Sequence, residues 1–251
     1  MIRDTMILFG RTVKHVTRSA DTIITTVMMP IAFMLLFVYV FGGSIKQSLS
    51  SNTEYINYLL PGILIMAAAM GTSYVGYRLF EDRTKGMFAR VKSMPIKASS
   101  FLWAHVLTSL ISNLISFVII IGLAFIMGFR TSAGFTEWLA VIGIYLLLTL
   151  ALTWLSAIPG ILAKTMTGAS LLAYPLTFLP MLSSAFVPTE TMPAPVRWFA
   201  ENQPLTSTTN VIRKLFADQA LGNEIWVALA WLVGITIVGW IGASQLYKKA
   251  V

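Results

Sequence analysis

The sequence contains no cysteine and few charges for its length. Among 251 residues, histidine occurs twice, and Asp, Glu, Lys and Arg together make up 11%. The absence of cysteine excludes disulfides, thiolate catalysis and a cysteine-based metal site. In contrast, 57% of the residues are hydrophobic, and the mean hydropathy is +0.77. This composition is typical of an integral membrane protein rather than a soluble domain.

Sequence motifs for enzymatic chemistry are also missing. The phosphate-binding pattern G-x-x-x-x-G-K-[ST] is absent, so we expect no P-loop and no ATP or Mg²⁺ bound by this chain. There is no G-x-S-x-G pattern, and neither His15 nor His105 has an acidic or histidine partner at ligand spacing. The sequence therefore predicts no catalytic residue and no metal site, and any ATP hydrolysis would belong to a partner subunit.

Six stretches are long and apolar enough for membrane spans, which need about 20 residues each. They lie near residues 23–41, 57–77, 100–129, 138–163, 165–186 and 225–247. Their central parts contain no Asp, Glu, Lys or Arg, which argues against an ion-coupled carrier, since coupling usually requires an ionisable group in the membrane. The predicted fold is an all-α membrane protein whose six transmembrane helices form one domain over residues 23–251.

The distribution of charge predicts the orientation of these spans. Thirteen of the eighteen Lys and Arg residues fall in the amino-terminal segment, the loop after the second span, the turn at Lys164 or the carboxyl-terminal tail. The positive-inside rule therefore places both termini in the cytoplasm of a multi-pass cell-membrane protein. The net charge of +8 fits attraction to lipid headgroups. We find no nucleic-acid-binding pattern.

Residues 1–22 have the pattern of an amphipathic helix. Ile2, Met6, Phe9 and Val13 recur at helical spacing, and the basic residues fall largely off that stripe. This pattern predicts a helix lying in the cytoplasmic membrane interface. The alternative is a solvated basic leader.

A second amphipathic pattern occupies the charged loop at about residues 79–95. Apolar or small side chains again recur at steps of four and three, and Pro95 ends the predicted helix. A loop that only set the topology would need positive charge but no such stripe, so we predict a docking surface for another subunit. Its predicted contact residues are Phe80, Glu81, Arg83, Thr84, Gly86, Met87, Arg90, Val91 and Met94.

The external segment of about residues 188–218 contains two apolar clusters separated near Pro204. We predict two short amphipathic helices that enter or lie on the outer leaflet before the last span. Within the spans, a candidate substrate pathway combines adaptable methionines with small polar faces. Helix packing explains the polar residues equally well, and lipid contact explains the apolar ones. The candidates are Met66, Met70, Tyr74, Ser112, Asn113, Thr149 and Thr153.

The segment from Tyr58 to Phe101, YLLPGILIMAAAMGTSYVGYRLFEDRTKGMFARVKSMPIKASSF, resembles a part of a known family. It is similar to the second span and coupling helix of type 2 ATP-binding-cassette exporter permeases, particularly the daunorubicin-resistance type. The resemblance rests on Pro61 with Gly62, on the spacing of Glu81, Gly86 and Pro95, and on Arg83 and Arg90. The segment QPLTSTTNVIRKLF, residues 203–216, resembles the region before the last span of that family.

This resemblance implies an elbow helix at the amino terminus, a coupling helix in the charged loop and re-entrant helices outside. It also implies a dimer, with a second permease copy or paralogue and two separate ATPase subunits that bind ATP and Mg²⁺. The implied function is multidrug export or antibiotic resistance by moving an amphipathic drug-like or lipid-like compound outward. Alternatives are export of a polysaccharide or glycolipid, an ion-coupled secondary carrier, and a membrane scaffold without transport.

Overall fold

The computed structural model describes residues 2–17, 19, 23–43, 55–93, 98–171 and 173–250, and most of them are helical. The first helices are α1 (Ile2–Thr17), α2 (Met29–Leu35), α3 (Tyr55–Thr84), α4 (Met87–Ser93) and α5 (Ala98–Ile126). Two π-helical segments, Ile24–Met28 and Leu36–Phe41, extend α2 at both ends. They are followed by α6 (Phe135–Leu162), α7 (Met166–Ala169), α8 (Ala173–Phe178), α9 (Ala194–Asn202), α10 (Pro204–Phe216) and α11 (Glu224–Ala250).

Four of these helices, α3, α5, α6 and α11, are long and apolar enough to cross a membrane. They coincide with the predicted second, third, fourth and sixth spans, and the all-helical prediction is confirmed for the described residues. The first predicted span corresponds to a shorter apolar helix, Ile24–Val40. Its π-helical turns flank an α-helix with Pro30 in its first turn, where the missing backbone donor disturbs regular hydrogen bonding.

The prediction that residues 165–186 form one spanning helix is wrong. The described part of the segment consists of α7, α8 and the 3₁₀ helix Leu179–Leu182, and it continues as a turn from Ser183 to Phe186. Its two prolines remove backbone donors. Side chains accompany the irregular backbone: Tyr58 Oη donates to the Ser184 carbonyl at 2.9 Å, and Gln203 Nε2 donates to the Leu182 carbonyl at 2.6 Å. Irregular backbone at membrane depth is tolerated where other parts of the protein bury it and bond its polar groups, as these side chains do.

Helix α3 lies at the centre of the fold. Within its apolar window 89% of residues are buried, compared with 17% in α11. One apolar core surrounds its first half and includes Leu59, Ile63 and residues of α10. A second surrounds its last turns and includes residues of α1, α4 and the end of α11. We call the end of the molecule with α1 and α4 the basic end, and the end with α9 and α10 the far end.

Two glycines of α3 permit unusually close backbone contacts. A Cβ atom on Gly160 of α6 would lie 2.5 Å from the carbonyl oxygen of Gly76 in α3. A Cβ atom on Gly62 would lie 2.6 Å from the Cβ of Ala185, in the turn after the 3₁₀ helix. Small residues at such crossings let helices approach until their backbones touch. Helix α3 therefore packs closely against α6 near the basic end and against the turn that contains Ala185 near the far end.

The external segment contains two short helices, α9 and α10, which are separated at Gln203. The apolar residues of α10, namely Val211, Ile212, Leu215 and Phe216, are buried in the far-end core. In α9, by contrast, Trp198 and Phe199 remain exposed. Helix α10 thus buries its apolar face against the chain itself, and α9 presents aromatic rings outward.

Candidate functional site

The charged loop forms a turn between α3 and α4 rather than one helix. Helix α3 continues through the predicted span to Thr84, and the chain reverses at Gly86, whose φ is +72°. This left-handed conformation suits glycine because it carries no Cβ. The Gly86 amide donates to the Arg83 carbonyl at 3.1 Å, and the Gly86 carbonyl accepts from the Arg90 amide at 3.2 Å. The prediction of one continuous helix over residues 79–95 is therefore wrong.

The predicted apolar stripe faces the chain itself. Val91 is 2% exposed and packs in the basic-end core, where the partly buried Met87 contacts it. Phe80 is half-buried, and Met94 lies outside the described residues. The stripe thus anchors α4 to the chain and does not form its outer surface. Sequence periodicity finds an apolar face but does not say whether that face meets its own chain or a partner.

The outer surface of the turn is polar. Thr84, Ala89 and Arg90 are exposed, whereas Glu81 and Gly86 are half-buried. Lys85 Nζ forms an ion pair with Glu81 Oε1 at 2.6 Å, and this contact raises the pKa of the exposed Lys85 ammonium. Arg83 and Lys85 are also exposed, but both make contacts within the chain. We call the three exposed residues Thr84, Ala89 and Arg90 the turn surface.

Arg83 connects this turn to the fourth and fifth predicted spans. Its Nη1 donates to the carbonyl of Ile161 at 2.7 Å and to that of Ala163 at 3.2 Å. Carbonyls at a helix end have no partner within the helix and carry partial negative charge, so a guanidinium there stabilises them. Arg83 therefore caps α6 at the point where the irregular segment 163–186 begins.

Helix α1 uses a different face from the one its apolar stripe predicts. Thr5, Leu8 and Thr12 are buried, while Met6 is 57% exposed. Helix α1 packs against α5. Phe9 packs at the edge of the basic-end core, and Val13 is half-buried. The side chain of Ile2 lies outside the described residues. The stripe is therefore divided: Met6 and its exposed neighbour Ile7 point outward, and Phe9 turns toward the protein.

Asp82 joins three helices at the basic end. Arg11 of α1 donates to Asp82 Oδ1 at 3.0 Å, and Nε2 of His105 in α5 lies 3.1 Å from Asp82 Oδ2. His105 is buried and packs edge-on against Phe101, with 4.9 Å between ring centroids. The local sequence around His105 shows no partner at ligand spacing and does not predict this junction. Its members are 71 and 23 residues apart from Asp82, so no local pattern links them.

Most of the polar candidates for a substrate pathway lie in helix contacts. Asn113, Thr149 and Thr153 are fully buried, as is Met66. Ser109 Oγ and Thr153 Oγ1 are 2.8 Å apart, which bonds α5 to α6, and the Asn113 side chain packs directly against Gly71 of α3. Ser112 is half-buried and accepts a bond from Ser116 through its carbonyl. Thr153 and Asn113 therefore lie at contacts between helices of this chain.

Met70 and Tyr74, the other two candidates, lie on an open groove. The groove has a volume of about 220 Å³. It runs between α3, the start of the first apolar helix and the irregular fifth segment. Its lining combines two methionines and two tyrosines with four serines or threonines: Thr25, Met29, Met70, Ser73, Tyr74, Tyr77, Ser170 and Thr177. The rings of Tyr74 and Tyr77 are 5.0 Å apart between centroids. Flexible methionines beside aromatic rings suit an adaptable apolar ligand.

A buried arginine organises the far end. Arg213 of α10 donates to the Ser184 carbonyl at 2.8 Å, to Asn210 Oδ1 at 2.9 Å and to the Tyr58 carbonyl at 3.2 Å. Its guanidinium also lies 3.9 Å from the centroid of the Tyr58 ring. Burial lowers the pKa of Arg213, and the contact with Tyr58 opposes that shift. Arg213 thereby fastens α3, α10 and the irregular fifth segment together.

The comparisons with known proteins agree with one another. The sequence model of the family described as "ABC-2 type transporter" matches residues 3–217. A "Daunorubicin resistance ABC transporter permease protein" of Streptomyces coeruleorubidus is 30% identical over 234 residues, which cover 90% of this chain and 80% of the relative. A "Probable doxorubicin resistance ABC transporter permease protein" of Mycobacterium tuberculosis is 23% identical over 252 residues, which cover 99% and 90%.

Proposed function

The chain belongs to the ABC-2 type transporter family, and we propose that it is the permease subunit of an ATP-driven exporter. In this proposal it carries an amphipathic drug-like or lipid-like compound out of the cytoplasm or the inner leaflet. The observation that carries the proposal is the groove beside α3, because its methionine and tyrosine lining fits an apolar, aromatic compound. The basic end faces the cytoplasm, in agreement with the positive-inside rule, and two copies or paralogues assemble with two ATPase subunits.

The turn surface of Thr84, Ala89 and Arg90 is the proposed contact for the ATPase. It lies directly at the end of α3, and Tyr77 of the groove is seven residues earlier on the same helix. At 1.5 Å per residue, the two sites are about 10 Å apart along one rigid rod. A displacement of the turn by ATP binding would therefore move one wall of the groove.

Arg83 provides a second connection, to the opposite wall. It holds the carbonyls of Ile161 and Ala163, and the segment that begins there contributes Ser170 and Thr177 to the groove. The segment is broken into short helices, so it can shift more readily than a continuous helix. We propose that the turn acts on both walls, through α3 and through Arg83.

The docking step is tested by co-purification of the tagged ATPase with the permease. Arg90→Glu reverses a charge on the turn surface, and we expect it to reduce recovery of the ATPase at least tenfold. Lys248→Glu is the matched control, because it makes the same change near the end of α11, outside the turn surface, and should leave recovery unchanged. Equal recovery with both variants would refute the docking assignment.

The groove is tested by ATP-dependent uptake of daunorubicin into inside-out vesicles. Met70→Ala removes about 1–2 kcal/mol of apolar contact, so we expect the half-saturating concentration to rise roughly 5- to 30-fold. Tyr39→Ala, which removes an exposed ring outside the groove, should transport normally. If Met70→Ala transports daunorubicin normally, the groove is not its path. If a fluorescent glycolipid is transported and daunorubicin is not, the polysaccharide or glycolipid alternative is favoured instead.

A further inference from the structure

A second cavity, separate from the groove, opens at the basic end. It has a volume of about 560 Å³ and lies between α1 and the last turns of α3, next to the start of α5. Its charged lining consists of Arg11, Lys14, Arg78, Lys85, Glu81 and Asp82. This volume is within the range of sites that hold small molecules or headgroups, and neither the docking contact nor the groove uses it.

The cavity carries an excess of positive charge. Among the described lining residues, four basic side chains and two carboxylates give a formal charge of +2, with His105 counted as neutral. Arg78 is buried at the inner wall, and the side chain of Lys85 is 65% exposed at the rim. Guanidinium and ammonium groups arranged in this way suit phosphate oxygens, to which they donate charge-assisted hydrogen bonds.

The surroundings of the cavity indicate where such a phosphate would come from. Arg11 and Lys14 belong to α1, and the same helix exposes Met6 and Ile7. An amphipathic helix with exposed apolar side chains lies with that face in the acyl boundary of a membrane. The cavity therefore opens at headgroup depth, and basic pockets between helices on the cytoplasmic side are suited to anionic headgroups.

We propose that this cavity binds the phosphate-bearing headgroup of an anionic phospholipid from the cytoplasmic leaflet. The headgroup would lie between α1 and the end of α3, close to the junction of Arg11 with Asp82. Binding there would hold α1 against the helix that carries the turn surface. The inference depends on the basic end lying at the membrane surface, but it does not depend on which compound is transported.

The test is a lipid titration of the full chain in detergent, with bound phosphatidylglycerol counted by native mass spectrometry. Lys14→Gln with Lys85→Gln removes the excess charge at two exposed positions. Each basic group near an anionic surface contributes roughly fivefold in affinity, so we expect the double variant to bind roughly 25-fold more weakly. The control, Lys248→Gln with Lys249→Gln, loses the same charge outside the cavity and should bind within about twofold of wild type.

A variant with the opposite effect keeps the test independent of any loss of folding. Glu81→Gln removes a carboxylate from the lining, and we expect it to bind phosphatidylglycerol roughly fivefold more tightly than wild type. Equal affinity of the wild type, the double variant and Glu81→Gln would overturn the proposal.

Two further measurements distinguish the source of the phosphate. Phosphatidylethanolamine, which is zwitterionic, should bind at least tenfold more weakly than phosphatidylglycerol, and millimolar glycerol 3-phosphate should not displace the lipid. Displacement would mean that the site takes a soluble phosphate, and the lipid proposal would be wrong. The double variant at Lys14 and Lys85 could also lose the ATPase while it binds phosphatidylglycerol as tightly as wild type. That result would mean that the cavity binds a carboxylate of a partner protein, and it would overturn the lipid proposal.

Discussion

The contact between Gly76 and Gly160 provides a sharp test of how α3 is held. In Gly160→Ala, the new methyl group would stand 2.5 Å from the Gly76 carbonyl oxygen and 2.7 Å from its Cα. Ordinary contacts begin at 3.4 Å, so the two helices must separate by up to about 1 Å. Because both clashing atoms belong to the backbone, no side-chain rotation can relieve them. A separation of this size forfeits a quarter to a half of the dispersion energy of the affected contacts.

We expect Gly160→Ala to lower the free energy of unfolding by about 3 kcal/mol, at the upper end of typical overpacking costs. Gly143→Ala is the matched control on the same helix, because a methyl group there would meet nothing within 4 Å. That variant should be unchanged or stabilised by up to about 1 kcal/mol through its higher helix propensity.

The assay is reversible unfolding of the purified protein in mixed micelles, followed by circular dichroism. Stability falls for Gly160→Ala and not for Gly143→Ala if the backbones of α3 and α6 touch. Equal stability of the two variants would refute the close crossing and, with it, the central position assigned to α3.

Three further variants test the junctions described above. Arg213→Gln should lower the free energy of unfolding by about 3 kcal/mol, since it removes the charge-assisted hydrogen bonds from Arg213 to the Ser184 and Tyr58 carbonyls, whereas Lys214→Gln at the adjacent residue should cost less than about 1 kcal/mol. Asp82→Asn removes the ion pair with Arg11, so hydrogen exchange in α1 should accelerate roughly 5- to 10-fold, while Glu81→Gln should leave it unchanged. Gly86→Ala has space for its methyl group but must hold a left-handed φ, at a cost of about 1–2 kcal/mol; Gly222→Ala, at an open position with ordinary φ, should cost little.

The long helices and the external pair could be predicted because their signals are local. Continuous apolar stretches identified α3, α5, α6 and α11, and Pro204 between two apolar clusters separated α9 from α10. The prediction of the fifth span was wrong for a physical reason that length and hydropathy do not reveal. Pro175 and Pro180 remove backbone donors from this segment, but side chains of other elements, among them Tyr58 and Gln203, are what make a broken segment tolerable there.

The candidate site was predicted only in part, because its decisive contacts are not local. The stripe through Met87 and Val91 was found, but its partner is the chain's own core. Arg83 was identified through the family resemblance, while its bonds to Ile161 and Ala163 span about 80 residues. Asn113 illustrates the same limit: a polar residue in an apolar span could line a path or pack a helix, and its contact with Gly71 is not visible in the local sequence.

The most direct test of the proposed exporter is to measure what drives transport in reconstituted vesicles. Inside-out proteoliposomes that contain the permease and its ATPase should accumulate daunorubicin when ATP is added, and proton or sodium ionophores should not reduce this uptake. Arg90→Glu should abolish accumulation although the variant is inserted normally. Uptake that continues without ATP and collapses with the ion gradient would contradict the account and identify a secondary carrier.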